Sequence, residues 1–156
     1  TGLRFFRVSG PWGRPDMALW KFTKAILEGR PIDVYNHGDM RRDFTYIDHI
    51  VAGVIASLDN PPADDGQPKA GGFVTPHRLY NIGNNRPEPL MGLIGEIEKA
   101  CGRKAQLNLL PMQDGDVHET YADIAAIEHE LGYKPETDIR VGVGNFVAWY
   151  RQFYSV

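Results

Sequence analysis

The strongest constraint on the fold is an apolar strand pattern at the start of the chain, which runs directly into a loop rich in glycine and proline. Leu3, Phe5, Phe6 and Val8 are apolar at odd and even positions alike, and residues 10–15 form the loop. Such a run is typical of a strand inside a parallel sheet, which has helices on both faces. A parallel sheet needs neighbouring strands, and the sequence offers none before Leu3. We therefore expect this chain to be the C-terminal part of a larger α/β enzyme.

Charge and cysteine content exclude several classes of protein. The net charge is -3 over 156 residues, with both signs interspersed, so we expect neither nucleic acid nor a membrane as a partner. Cys101 is the single cysteine, which fits a reducing cytoplasm and excludes a thiolate metal site. The five histidines are scattered and none lies in a His-Glu-x-x-His pattern, so no metal site is predicted.

Apolar residues at helical spacing predict five helices. Asp48, Asp123 and Asp138 have the position of N-caps, and Gly29, Gly102 and Gly132 have the position of helix stops. The helix after Asp48 carries an apolar face made of Ile50, Val51, Val54, Ile55 and Leu58.

Short apolar runs between the helices predict the strands of the sheet. They cover Leu3–Val8, 32–35, 43–47, 79–82 and 106–110. Residues 63–76 are polar and rich in glycine and proline, so we expect a mobile surface loop there.

The pair Arg41-Arg42 enters the strand that contains Asp43. Guanidinium groups fixed on a strand suit a pyrophosphate, because their fork geometry matches two phosphate oxygens. A bare Arg-Arg pair is more often a solvated pair on an exposed edge. The surrounding motifs favour the binding interpretation over the solvated one.

Several motifs, in order along nearly the whole chain, resemble the extended short-chain dehydrogenase/reductase superfamily, and within it the UDP-glucuronate 4-epimerases. They are Gly10-Pro11-Trp12-Gly13-Arg14-Pro15, residues 38–48, Tyr80-Asn81-Ile82-Gly83-Asn84, residues 111–117 with Thr120, Ala122 and Asp123, and Leu131-Gly132-Tyr133-Lys134-Pro135. The resemblance implies an α/β fold in which residues 1–156 form the C-terminal, sugar-nucleotide-binding part of an extended Rossmann-type enzyme. Residues 1–8 would be the last part of the Rossmann sheet, and the dinucleotide-binding half would precede this chain.

The resemblance also implies a reaction, in which NAD oxidises C4 of a UDP-sugar, the 4-keto intermediate rotates, and hydride returns to the other face. In this family a tyrosine four residues before a lysine supplies the base. The sequence contains no Tyr-x-x-x-Lys and no Gly-x-x-Gly-x-x-Gly. We therefore expect no catalytic residue in this chain, no activity of the chain alone, a homodimer for the full-length enzyme and possible self-association of the fragment.

The resemblance assigns binding roles to individual residues. Arg14 and Arg42 would neutralise the pyrophosphate, Asp116 would accept hydrogen bonds from the ribose, and Gln113 would contact phosphate. Pro11 would lie beside the nicotinamide of NAD. Phe6 and Arg7 would lie near the sugar, although Phe6 suits plain core packing equally well.

Three residues depart from the pattern of the UDP-glucuronate 4-epimerases. Arg7 replaces a small polar residue, Ser9 replaces a tyrosine, and His49 replaces an aspartate. An arginine at position 7 either pairs with a carboxylate of the substrate or fills the sugar pocket, while His49 is expected to face solvent. A UDP-glucuronate decarboxylase or a sugar-nucleotide dehydratase of the same superfamily is the nearest alternative, and a non-catalytic sugar-nucleotide-binding module is the other.

Overall fold

A computed structural model describes residues 1–69 and 74–156 of the chain. Among these residues the strands are β1 (Gly2–Phe5), β2 (Val8–Ser9), β3 (Pro31–Val34), β4 (Arg41–Asp43), β5 (Thr45–Tyr46), β6 (Leu79–Ile82), β7 (Pro87–Pro89) and β8 (Gln106–Leu109). The helices are α1 (Ala18–Glu28), α2 (Ile47–Asp59), α3 (Leu90–Cys101), α4 (Ala125–Leu131) and α5 (Ile139–Tyr154). The mixed α/β architecture predicted from the sequence is confirmed.

The strands form four pairs in the described part of the chain, three of them parallel. β1 runs parallel to β6 with Leu3 opposite Tyr80, β2 runs parallel to β5, and β3 runs parallel to β8. β4 pairs antiparallel with β7, a strand that the sequence analysis did not predict. Parallel pairs dominate, as the apolar strand pattern predicts.

The predicted strand over residues 3–8 is wrong in one respect, because it breaks at Phe6 and Arg7. The Phe6 N–H still donates to Ile82 of β6, at 2.9 Å, whereas the Arg7 carbonyl accepts from Thr45 of β5, at 3.2 Å. Arg7 adopts φ of 36°, which lies in the left-handed region. The chain therefore changes partner strands at Arg7, and it turns through an uncommon backbone conformation to do so.

Two clusters of buried side chains stabilise the fold. The larger cluster joins α1, β3, α3 and α5, and its most buried members include Ile26, Val34, Leu93, Ile97 and Phe146. The smaller cluster joins α2, β6 and α4 around Ile50, Ile82, Ile127 and Tyr133. The helix stops predicted at Gly29, Gly102 and Gly132 are confirmed, and each adopts a left-handed conformation that closes its helix.

The capping prediction holds for α5 and is wrong for α2. Asp138 accepts the N–H of Arg140 at 2.9 Å as the N-cap of α5. α2, however, begins at Ile47 with Tyr46 as its N-cap, so Asp48 lies inside the first turn without a capping bond. Asp123 accepts the N–H of Ala125 at 3.0 Å, but it lies one residue before the N-cap of α4.

The apolar face predicted for α2 is divided in the structure. Ile50 is buried against the smaller cluster, and Gly53 lies directly over Ile82. The remaining members of the stripe (Val51, Val54, Ile55 and Leu58) are exposed, and Leu58 keeps 77% of its surface accessible. No helix of the described residues is long and apolar enough to cross a bilayer.

The loop predicted over residues 63–76 has neither helix nor strand at 63–69 or 74–76, which agrees with its polar composition. Residues 70–73 lie outside the described part of the chain. Its mobility stays a prediction.

Candidate functional site

Arg42 forms one wall of a cavity of about 140 Å³ at the end of β4, which we call the Arg42 cavity. Its side chain is 6% exposed, and Nη2 donates to Oδ1 of Asp116 at 3.0 Å. Nη1 donates to the carbonyls of Arg41 and His118, each at 2.8 Å. These three partners fix the guanidinium, and Asp116 shares the cavity wall with it.

Arg42 lies within reach of the charge of one cation, Arg7, and of one carboxylate, Asp116. Burial lowers the pKa of Arg42, the positive charge of Arg7 lowers it further, and the carboxylate of Asp116 opposes both effects. Two arginines, Arg7 and Arg42, and two aspartates, Asp33 and the partly exposed Asp116, line the cavity. An anionic ligand would relieve the repulsion between the two arginines.

Arg7 occupies the point where three cavities meet. A second cavity of about 570 Å³, the loop cavity, is lined by Arg7 and by residues 8–14. A third cavity of about 440 Å³ lies between Arg7, α1 and β3. Among the described residues Arg7 alone lines all three cavities. Its guanidinium forms no ion pair with a carboxylate of the described residues, whereas Arg14 and Arg42 each do.

The position of Arg7 follows from the topology of the strands. β1 pairs with β6 as far as Phe6, and β2 then pairs with β5. The two strand pairs therefore separate at Arg7. A crevice at the carboxyl end of parallel strands, where neighbouring strands diverge, is the usual ligand site of α/β sheets. The sequence showed that Arg7 was unusual, but the strand change that places it here was not predicted.

Arg14 and Pro11 both line the loop cavity. Arg14 is exposed and donates to Oδ2 of Asp16 at 3.0 Å, so its guanidinium is separate from that of Arg42. The loop itself packs on α5, because the ring of Trp12 contacts Trp149 and Phe153 at centroid distances of 5.3 and 5.1 Å. The loop is therefore held in place by aromatic contacts at the back of the cavity.

The structure brings Asp116 to Arg42 but leaves Gln113 at a distance from the cavities. Gln113 is exposed and is not among the described residues that line them. Its carbonyl accepts the N–H of Asp116 at 3.2 Å, which shapes the loop that carries this carboxylate. A contact between the Gln113 side chain and a ligand stays a prediction.

Asp43 is the site residue that sequence analysis missed. Its carboxylate is fully buried and accepts backbone N–H groups from Asn84 at 2.8 Å, Asn85 at 3.1 Å and Ala122 at 2.8 Å. Its own N–H donates to Oγ1 of Thr120 at 3.1 Å. Asp43 thus ties β4 to the loop after β6 and to the segment that leads back to Asp116. The sequence gives no signal for this role beyond an acidic residue next to Arg42.

Tyr133 supports the same region from the other side. Its hydroxyl donates to the carbonyl of Gly83 at 2.9 Å. Burial raises the pKa of Tyr133, and the charge of Asp43 raises it further, so the phenol is a neutral donor in the native protein.

Several other residues line the Arg42 cavity without having been predicted. They are mostly apolar or aromatic and come from α1 and its N-cap, from β3 and the turn after it, and from the residue between β4 and β5; they include Met17, Phe22, Asp33, Tyr35 and Phe44. Short motifs do not identify such residues, because they become neighbours only when α1, β3 and β4 pack together.

The remaining atypical residues have structural contacts. Ser9 donates to the carbonyl of Thr45 at 3.1 Å, and Phe6 packs against the smaller core cluster. The expectation that His49 faces solvent is wrong, because Nε2 lies 2.7 Å from Oγ1 of Thr137 and accepts N–H groups from Glu136 and Thr137. His49 is therefore part of the junction between α2 and α5.

Relatives of known sequence and structure resemble the chain along almost all of its length. A protein of Escherichia coli O111:H- described as the uncharacterized 37.6 kDa protein in the cld 5' region is 55% identical, over 100% of this chain and 48% of that protein. The probable UDP-glucuronate 4-epimerase of Rhizobium meliloti is 46% identical, over 99% of this chain and 47% of its own length. The chain thus spans about half the length of the curated relatives that it matches.

A solved structure agrees with this relationship. The crystal structure of UDP-glucuronic acid 4-epimerase from Bacillus cereus, in complex with UDP-glucuronic acid and NAD, superposes with a TM-score of 0.83 and 31% identity. The match covers 97% of this chain and 45% of that one. The model of the NAD dependent epimerase/dehydratase family matches residues 1–83, which is more than half of the chain. The strand change at Arg7, the buried Arg42 and the family match together lead to one conclusion: this chain belongs to the NAD-dependent epimerase/dehydratase family.

Proposed function

We propose that this chain is the UDP-sugar-binding part of an NAD-dependent nucleotide-sugar 4-epimerase that interconverts UDP-glucuronate and UDP-galacturonate. The observation that carries the proposal is the buried guanidinium of Arg42, which faces a cavity together with Asp116 and the unpaired Arg7. A diphosphate matches this site, because its charge offsets the repulsion between the arginines and its oxygens accept hydrogen bonds from guanidinium groups.

We assign the ribose, the phosphates and the hexose of the ligand to residues in the walls of the Arg42 cavity and the loop cavity. Asp116 keeps one oxygen on Arg42, and its other oxygen is a suitable acceptor for a ribose hydroxyl. Arg14 lines the loop cavity and would be a secondary contact for the phosphates. Gln113, on the loop that carries Asp116, would reach them only if its exposed side chain turned toward the ligand. The hexose would occupy the loop cavity, whose volume of about 570 Å³ lies in the range of ordinary small-molecule sites.

NAD would meet this chain at the loop that contains Pro11. This loop lines the largest of the three cavities and is held by Trp12 against α5, so it presents a fixed surface to a planar ring. When bound, NAD would take hydride from the sugar and return it. The sequence lacks the glycine-rich phosphate loop and the Tyr-x-x-x-Lys pair, so the remaining half of the enzyme would have to supply them.

Titration calorimetry of the 156-residue chain with UDP and with UDP-glucuronate tests this proposal. We expect saturable binding of both ligands, and Arg42→Ala should weaken both by about 1.5 to 3 kcal/mol, since a charged hydrogen-bonding partner is lost. Arg140→Ala is the matched control, because Arg140 is an exposed arginine on α5 that lines none of the three cavities. Equal UDP affinity in the Arg42→Ala and Arg140→Ala proteins would remove Arg42 from the site and refute the proposal.

Catalysis is tested separately. We expect no turnover of UDP-glucuronate by the chain alone, even with NAD present. Turnover by a preparation shown to be free of host enzyme would contradict the assignment of the catalytic groups to the other half of the enzyme.

A further inference from the structure

The loop that lines the loop cavity contains a turn of four residues, Gly10-Pro11-Trp12-Gly13. The N–H of Gly13 donates to the carbonyl of Gly10 at 3.2 Å, and Trp12 has a φ of 62°. Proline at the second position and a positive φ at the third are features of a type II turn, in which the third residue is normally glycine or asparagine. The backbone of Trp12 therefore has an unfavourable conformation that its surroundings must stabilise.

The side chain of Trp12 provides this stabilisation by packing on α5. Its ring contacts Trp149 and Phe153, and these two rings stack on each other at a centroid distance of 5.4 Å. Trp149 also contacts Phe146, which is 1% exposed in the larger core cluster. A series of aromatic contacts thus joins the middle of the turn to the core, although 73% of the surface of Trp12 is accessible.

The two ends of the loop are fixed by other contacts. At its start, a Cβ atom on Gly10 would lie 2.6 Å from Cγ2 of Ile47, so this glycine packs directly on the first turn of α2. At its end, the N–H of Met17, the N-cap of α1, donates to the carbonyl of Arg14 at 3.2 Å. The ring of Trp12 consequently fixes the middle of the loop, next to the proline that lines the loop cavity.

We propose that Trp12 is a positioning residue for the sugar of the bound nucleotide, and that α5 acts on the ligand through it. This inference rests on the proposed function, in which the hexose occupies the loop cavity and Arg42 binds the diphosphate. Trp149 and Phe153 line none of the three cavities, so they act on the sugar only by holding the turn that carries Pro11. A loop that is already fixed binds a ligand more tightly, because binding does not have to order it.

Trp12→Gly removes the ring and places in the turn the residue that its backbone favours. The lost contacts and the relieved strain have opposite effects on stability, so the thermal midpoint should stay within about 3 °C of the native value. In titration calorimetry the affinity for UDP-glucuronate should fall about fivefold to tenfold, whereas the affinity for UDP should change by less than about twofold. Trp12→Phe keeps an aromatic ring on α5 and should recover most of the lost affinity.

Phe153→Ala separates positioning from direct contact with the ligand, because Phe153 contacts Trp12 and lines none of the three cavities. We expect the affinity for UDP-glucuronate to fall about threefold, with no added loss when the substitution is combined with Trp12→Gly, since the two rings act as one unit. Tyr154→Ala is the matched control, because this neighbouring ring has a similar exposure and packs on Trp20. It should leave the affinities for both ligands unchanged.

Three outcomes would overturn the inference. If Trp12→Gly weakens UDP-glucuronate binding and Phe153→Ala does not, Trp12 touches the ligand directly and α5 has no part in recognition. An equal loss of affinity for UDP and UDP-glucuronate, or an unchanged preference between them, would also contradict it.

The same titrations distinguish failure of this inference from failure of the proposed function. UDP binding that depends on Arg42 but not on Trp12 or Phe153, with no change in preference for UDP-glucuronate, would overturn the inference and leave the proposed function standing. If neither ligand binds the unaltered chain, the proposed function is refuted and the inference fails with it.

Discussion

Nε2 of His49 accepts the backbone N–H of Thr137 at 3.0 Å, and this contact joins the first turn of α2 to the residue before the N-cap of α5. The same nitrogen accepts the N–H of Glu136 at 3.2 Å. The ring nitrogen of His49 accepts both N–H groups, and a carboxylate oxygen at this position could accept them equally well.

His49→Ala should destabilise the protein by about 1 kcal/mol, since the partly buried N–H of Thr137 and the exposed N–H of Glu136 lose their acceptor. His49→Asp restores an acceptor at nearly the same place and should recover most of this loss. Urea denaturation of the three proteins measures the effect. If the alanine and aspartate variants are equally stable, the hydrogen bonds of His49 do not contribute to stability.

Asp43→Asn should cost about 1 to 3 kcal/mol although the two side chains have the same shape. Asp43 accepts from three backbone N–H groups, and an amide nitrogen would turn a donor toward at least one of them. Asp59→Asn, at the exposed end of α2, is the control and should change stability by less than about 0.5 kcal/mol. If Asp43→Asn has the same denaturation midpoint as the native protein, the three hydrogen bonds to Asp43 do not require a carboxylate for stability.

Arg7→Thr should lower the preference of the chain for UDP-glucuronate over UDP-glucose, by roughly threefold to tenfold, because a carboxylate on the sugar loses its cation. If Arg7 instead fills the pocket, the same change should raise the affinity for both sugars. Calorimetry with the two ligands separates these outcomes. Unchanged affinities for both would show that Arg7 points away from the hexose.

Tyr133→Phe should change the dependence of stability on alkaline pH. The pKa of Tyr133 is raised above its ordinary value of 10 in the folded protein, so above about pH 10 the unfolded chain loses this proton first and stability falls as the pH rises. Near pH 8 the variant should be about 1 kcal/mol less stable than the native protein, because it lacks the hydrogen bond to Gly83. Near pH 11 this difference in stability should be smaller. Tyr121→Phe, at an exposed tyrosine, is the control, and an equal loss at both pH values for Tyr133→Phe would contradict this account.

Local sequence patterns predicted the elements that local interactions decide. The helix ends at Gly29, Gly102 and Gly132 follow from glycine's access to the left-handed conformation. Asp48 was misassigned because a capping residue is defined by backbone geometry, and here the helix begins one residue before it.

The parts of the site that depend on tertiary packing could not be predicted in the same way. Arg42 and Asp116 came from resemblance to a family, since nothing local says that residues 74 positions apart will meet. The left-handed turn at Arg7 occurs where the chain stops pairing with β6 and begins to pair with β5, which are distant in sequence. The exposure of Val51, Val54, Ile55 and Leu58 on α2 was not predicted either, because amphipathic spacing does not say which part of an apolar face packs against the sheet.

The buried carboxylate of Asp43 has a consequence for the order in which the protein assembles. One of its three partners is Ala122, which lies 79 residues further along the chain. A carboxylate cannot be withdrawn from water before its donors are in place, because an uncompensated buried charge is strongly unfavourable. The burial of β4 is therefore coupled to the docking of the segment around residue 122, and these two distant parts of the chain should become ordered together.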